Sequence, residues 1–387
     1  MKVVRKYGWM LFILLILSIN VISISDYAHA KARRVYLTDF VLENRIGNQG
    51  FSNTLSSESA SYEATVAALE ILDYYNLFEV PCWFGEHGKW WGALHYHVNR
   101  SSLGSNMESV LKDLIDNKNE NLYTIYQILK VLAILDESIS TTLETSIESY
   151  ITTLEYSDGG FSSLGNTTNP NIVATYHSLM VLTFINKNIT NLETHLNWTK
   201  KCLNSDGGFG GTIELSSTLT DTYYAISILS EFGDLSDLSP AKTIEYVRSL
   251  GSYADTNPLN LGGFFPDSTA QYPLISSTLH AIETLFLLDE TSLTSQEKSA
   301  TINWILNRQN INDGGFVDLS EGVETKSSSI MTSWKAFRTL GYLDQNLLKL
   351  EQDIWMVEFN YWILVILLAS IGVAVSFIIF IYRRRKI

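Results

Sequence analysis

Three groups of residues in this 387-residue chain have types and spacings that chemistry can use. Asp221 and His280 each lie near the start of an apolar run at helical spacing, where they fit poorly as core and could act as an acid and a base. A helix-capping role explains Asp221 as well. The segment "PCWFGEHGKWWGALHYHV", residues 81–98, carries Cys82, Glu86, His87, His95 and His97 among aromatic side chains. Imidazoles two residues apart fall on one side of an extended strand, so His87, His95 and His97 are candidate metal ligands. The same composition also reads as an aromatic-rich loop over one end of the fold. The third group is Tyr62, Tyr123, Tyr126, Tyr176, Tyr223, Tyr224 and Trp334, accompanied by Glu63 and His177 at equivalent places. Concave aromatic surfaces take apolar ligands or extended peptides, whereas rings packed between two helical layers would make the same residues core.

Equivalent places exist because the chain repeats. "SDGGF" stands at residues 157–161 and again at 205–209, "GGF" at 262–264, and "DGGF" at 313–316. Aspartate followed by two glycines is turn chemistry: the carboxylate accepts backbone N–H bonds two residues on, and glycine takes positive φ without a Cβ clash. The phenylalanine is then returned to an apolar layer. Phe161, Phe209, Phe264 and Phe316 are 48, 55 and 52 residues apart, and "GNQGF" ends at Phe51, 110 residues before Phe161. That interval is two periods, which predicts a worn repeat between them with its inner helix at residues 122–135. Amphipathic runs precede the corners, as at Leu143, Ile147, Tyr150 and Ile151. More uniformly apolar runs follow them, at residues 176–184, 223–229, 279–288 and 334–340. The first kind has one wet face; the second is covered on most sides. Six helix pairs result, in an open solenoid or a closed ring.

The runs "SDGGF" and "QNINDGGF", each leading into an apolar helix with an aromatic near its start, resemble the repeats of the protein prenyltransferase β-subunit and terpene cyclase superfamily. The resemblance spans about residues 37–345 and implies an all-α fold, an α/α toroid of six helix pairs around a central cavity. The family's chemistry does not transfer with it. Prenyltransferases hold zinc through an Asp and a Cys two residues apart and a later His. Here Asp221 matches, but Tyr223 stands at the Cys position and "MTSW", residues 331–334, offers no His. The D-x-D-D acid motif of the protonating cyclases and the Gly-Cys-Gly-Glu-Gln thioester run are also missing. No cofactor is expected. A covering second subunit, as in the prenyltransferases, stays open.

The ends are different material. Residues 1–30 give a basic start, an apolar run over residues 9–24 and small residues at Ala28 and Ala30, which reads as a signal peptide or an uncleaved anchor. Residues 359–382 are uncharged and mostly apolar, long enough to cross a bilayer as a helix, and Arg383, Arg384, Arg385 and Lys386 follow. Basic residues stay inside, so the expected topology is single-pass type I: an extracytoplasmic toroid, a linker over residues 346–358 and a short cytoplasmic tail over residues 383–387. The net charge is −14; the first 30 residues contribute +2 and the tail +4, so the region between is near −20. Such a surface repels nucleic acid. Cys82 and Cys202 allow one disulfide, and Asn99, Asn166, Asn188 and Asn197 are glycosylation sequons. The expectation is a membrane-anchored toroid that binds a ligand or protein at its mouth, with an isoprenoid-directed transferase or cyclase and a structural cell-surface module as the alternatives.

Overall fold

The computed structural model describes residues 32–81, 94–117, 121–164, 169–318, 323 and 326–353. The expected signal peptide, transmembrane helix and tail, together with Cys82, Glu86 and His87 of the insert, lie outside the described residues. Among the described residues no helix is long and apolar enough to cross a membrane. Residues 34–349 form one compact unit. In the other unit Ala32 pairs antiparallel with Asp353.

Among the described residues twelve α-helices alternate between two layers: α1 (Arg33–Glu43), α2 (Tyr62–Tyr74), α3 (Arg100–Asn117), α4 (Leu122–Ile134), α5 (Thr141–Thr152), α6 (Ile172–Phe184), α7 (Leu192–Lys201), α8 (Leu219–Phe232), α9 (Pro240–Ser249), α10 (Ile275–Leu288), α11 (Ser295–Leu306) and α12 (Ile330–Leu343). The even-numbered helices are the inner ring. Each packs on the next, and α12 packs back on α2, so the ring is closed and the solenoid alternative falls. The worn repeat is real: its inner helix is α4. Among the described residues one departure from an all-α fold is a short ladder, β1 (Glu79–Pro81), which leads into the aromatic insert, with β2 (Leu94–Tyr96) near its end.

Two glycines are needed at each full corner for two different reasons. The first has positive φ, from +89° at Gly314 to +109° at Gly159 and Gly262, and abuts a backbone carbonyl of the neighbouring outer helix. A Cβ on Gly207 would come within 2.5 Å of the Lys242 carbonyl oxygen. The second faces an aromatic ring: Trp198 beside Gly160, Tyr246 beside Gly208, Trp304 beside Gly263, and Phe40 beside Gly315. Phe40 belongs to α1, so the last corner clamps the first outer helix and the outer layer closes too.

The phenylalanine that follows is buried at every corner, at most 2% exposed at Phe51, Phe161, Phe209, Phe264 and Phe316. Its own N–H needs an acceptor in that dry place. A hydroxyl supplies it: Thr65, Thr175, Thr222, Thr278 or Ser333 accepts at 2.9–3.0 Å and donates its proton to the carbonyl four residues back. Each of these hydroxyls lies four residues past the residue that caps its inner helix, Ser61, Asn171, Thr218, Leu274 or Ser329. In α4, capped by Asn121, the equivalent residue is Ile125, which has no hydroxyl to serve a corner. Neighbouring repeats are stitched in turn: the first N–H of α4, α6 and α8 donates to the carbonyls of Ser163, Gly211 and Pro266, each two residues past a corner phenylalanine.

Candidate functional site

The lumen follows from helical geometry. Residues five, six and nine positions past each cap share one face of an α-helix, and on the inner helices that face points to the ring's centre. Val66 and Ala67 of α2, Tyr126, Gln127 and Lys130 of α4, and Tyr176, His177 and Met180 of α6 line it. Across from them stand Tyr223 and Tyr224 of α8, Leu279, His280 and Glu283 of α10, and Trp334, Lys335 and Arg338 of α12. The cavity is about 580 Å³. α2 presents the smallest side chains at the upper two levels, Val66 and Ala67. A smaller cavity of about 400 Å³ shares Tyr123, His177 and Tyr224 and continues toward the corner end.

The upper levels are a continuous aromatic surface. His177 lies 4.6 Å from Tyr126 and 5.4 Å from Tyr224, centroid to centroid, and His280 stacks on Tyr223 at 4.9 Å with the planes 7° apart. Burial pulls both imidazoles down to about 3, helped by Lys130 at His177 and by Lys335 at His280, so both are neutral. Burial also raises the Tyr126, Tyr176, Tyr223 and Tyr224 phenols, which stay protonated. The lumen above its floor is therefore uncharged over most of its wall.

Its floor is ionic. Glu70 accepts from Lys130 at 2.7 Å and from the Trp334 indole N–H at 2.5 Å, and Arg338 lies 3.6 Å away. Arg338 also donates to Glu283 at 2.6 Å, which Tyr342 joins at 3.3 Å. Burial pushes the Glu70 carboxyl up, but Lys130, Arg338 and Trp334 together outweigh it and hold it below the ordinary range. Four inner helices are tied at one level by these pairs. Beyond the floor, a third cavity of about 490 Å³ is lined by Glu70, Asp73, Tyr74, Phe337, Arg338 and Tyr342 among others.

Of the residues singled out from sequence, Tyr123, Tyr126, Tyr176, His177, Tyr223, Tyr224, His280, Trp334 and Glu63 line the lumen. Asp221 and Tyr62 are not among its lining residues. Thr218 caps α8 and Asp221 engages that cap: the Thr218 hydroxyl accepts the Asp221 N–H at 3.0 Å and donates to its carboxylate at 2.8 Å. Thr220, not Asp221, is the hydrogen-bond partner of the His280 ring, at 3.2 Å. In the insert, His95 lies in β2 opposite Val80, and His97 follows the strand, its N–H donating to Phe78 at 2.9 Å. Among the described residues no three His, Cys, Asp or Glu side chains converge as a metal site. The zinc of the prenyltransferases does not fit here, since the Asp221 carboxylate accepts the Thr218 hydroxyl and Tyr223 offers a ring in place of a thiolate. Cys202 is a free buried thiol, raised to about 12 by burial and by Asp221 and Asp158. The ionic residues Glu70, Lys130, Glu283, Lys335 and Arg338 are additions that the sequence reading missed.

The profile of the Prenyltransferase alpha-alpha toroid domain matches residues 98–317 and 267–358. No curated protein matches the chain by sequence. Among solved structures, Candida albicans protein geranylgeranyltransferase-I complexed with GGPP superposes with a TM-score of 0.52 and 16% identity, over 85% of this chain and 89% of that one. A type II terpene cyclase from Scytonema with its product merosterolic acid A gives 0.51 and 13%, over 80% and 95%. A variant of the same cyclase with the substrate geranylgeranyl dihydroxybenzoate gives 0.50 and 13%, over 82% and 96%. At such identities the likeness is one of fold. With the family profile spanning more than half of the sequence and the closed double ring of helices, the chain belongs to the prenyltransferase alpha-alpha toroid domain family.

Proposed function

We propose that this protein binds an apolar small molecule of the isoprenoid class in the lumen of its toroid. The observation that carries the reading is the cavity of about 580 Å³ walled by Tyr126, Tyr176, Tyr223, Tyr224 and Trp334. Small-molecule sites run from roughly 300 to 1,000 Å³ and are mainly apolar and aromatic with a few convergent polar groups. Flat rings contact a flexible, unsaturated hydrocarbon over a large area at little entropic cost, and their faces attract positive charge. The fold relatives support the class: one was solved with GGPP and another with geranylgeranyl dihydroxybenzoate. Neutral His177 and His280 add polar edges without charge.

We also read the toroid as membrane-anchored and extracytoplasmic, on the apolar residues 359–382 and the basic tail. Farnesol, an isoprenoid alcohol, tests the ligand class. Titration into the purified full-length protein is expected to saturate at one molecule per chain with a change in tryptophan emission from Trp334. Failure of any saturable binding sinks the reading.

A further inference from the structure

Six charged side chains line or floor the lumen: Glu63, Glu70, Lys130, Glu283, Lys335 and Arg338. Four of them pair with one another in the floor. Glu63 and Lys335 remain. Among the described residues neither has a salt bridge within 4.0 Å or a side-chain hydrogen bond, although each feels the other's charge and Lys335 also feels Asp318. Lys335 lies one turn above Arg338 on α12, at the level of His177, Tyr224 and His280.

An unpaired amine in an aromatic cavity invites two readings. An anionic ligand would pair with it, but the groups whose charge Lys335 feels are both carboxylates, and the other two lumen cations are held in the floor. A phosphate or carboxylate would meet one amine and two like charges. A neutral carbonyl meets no such repulsion. We propose that Lys335 is a covalent attachment site that forms an imine with an apolar aldehyde or ketone held in the lumen, with Glu63 as its proton shuttle. Burial pulls the Lys335 ammonium below its ordinary value despite Asp318 and Glu63, which increases the neutral, nucleophilic fraction. Burial likewise raises the Glu63 carboxyl against the opposing pull of Lys335, so it can carry the proton.

The Nζ lone pair forms a C–N bond to the carbonyl carbon, the C=O π pair moves to oxygen, and that oxygen takes a proton from the Glu63 carboxyl group. Nitrogen then loses one proton to the Glu63 carboxylate, which passes it to the new hydroxyl; the nitrogen lone pair forms C=N as the twice-protonated oxygen departs as water. The nearby carboxylates stabilise the iminium so formed.

This inference rests on the lumen being the ligand site, and its test separates the two. The purified full-length protein is incubated with farnesal, reduced with sodium cyanoborohydride and mapped by peptide mass spectrometry, alongside the farnesol titration. The expected result is one secondary-amine adduct per chain at Lys335. It should disappear in Lys335→Arg, which keeps the cation, with folding checked by circular dichroism. Trapping should slow by roughly tenfold or more in Glu63→Gln. Farnesol binding without enrichment of label at Lys335 over surface lysines overturns the imine and leaves the lumen reading standing. Absence of binding by either probe overturns both.

Discussion

Asn53 holds the start of the last inner helix: its carbonyl accepts the N–H of Ile330 at 2.8 Å, and its side-chain oxygen accepts that of Met331 at 3.1 Å. These residues are 277 and 278 apart in sequence, so the bonds close the ring rather than extend it. The orphan donors of a helix N-terminus are thereby satisfied by the first repeat. Asn53→Ala removes the side-chain half. It should cost about 1 kcal/mol and speed amide exchange at Met331 more than in α8. Unchanged exchange there would show that closure does not depend on this contact.

A buried corner N–H is the next point of leverage. Thr222→Val leaves the Phe209 N–H without its acceptor at 3.0 Å, in a site where Phe209 is 0% exposed. The expected loss is roughly 1–3 kcal/mol, read by denaturant unfolding, and Thr222→Ser should restore most of it. Equal stability of the Val and Ser variants would refute the acceptor role.

Which parts of this were legible follows from whether the constraint is local. Gly-Gly-Phe recurs at four corners because positive φ, a carbonyl contact and an aromatic contact fall on two adjacent residues, as at Gly207 and Gly208. The lumen-facing aromatics were visible in outline because they recur with the corners. Their depth was not, since it depends on where each helix is capped. Asp221 is three residues past Thr218 and bonds back to the cap; Tyr224, three further on, reaches the lumen. The hydroxyl four past each cap, such as Thr175, was the overlooked marker that fixes this register. The ionic floor could not be read at all. Glu70 and Trp334 are 264 residues apart and meet only because the ring closes.

Two neutral imidazoles set the acid response. His177 and His280 have folded-state values near 3 against an ordinary value near 6.5. Below about pH 6.5 the unfolded chain binds protons that the native state does not, so the stability these groups contribute is present above that pH and lost as pH falls toward 3. Between pH 7 and pH 5 the loss should be on the order of 2 kcal/mol per histidine. His177→Phe should flatten the slope of stability against pH in this window. An unaltered slope would mean the ring is protonated in the native state.

The floor network should behave as a unit. Glu70→Ala takes the acceptor from Lys130 and from the Trp334 indole, and one of two carboxylates from Arg338. Removing one partner of a fully buried set costs roughly 3–5 kcal/mol, but the Arg338 side chain is 32% exposed, so about 2 kcal/mol is expected. The Trp334 emission should shift as well. A null effect on stability would mark the network as a solvated surface cluster.

The ligand we propose occupies the lumen that Ala67 helps to line. Ala67→Trp fills that space from the wall with the smallest side chains, while every other lumen residue stays as it is. Farnesol titration of this variant, shown by circular dichroism to be folded, should give affinity at least about tenfold below the parent chain. Undiminished affinity in a folded Ala67→Trp protein would place the ligand elsewhere and contradict the account.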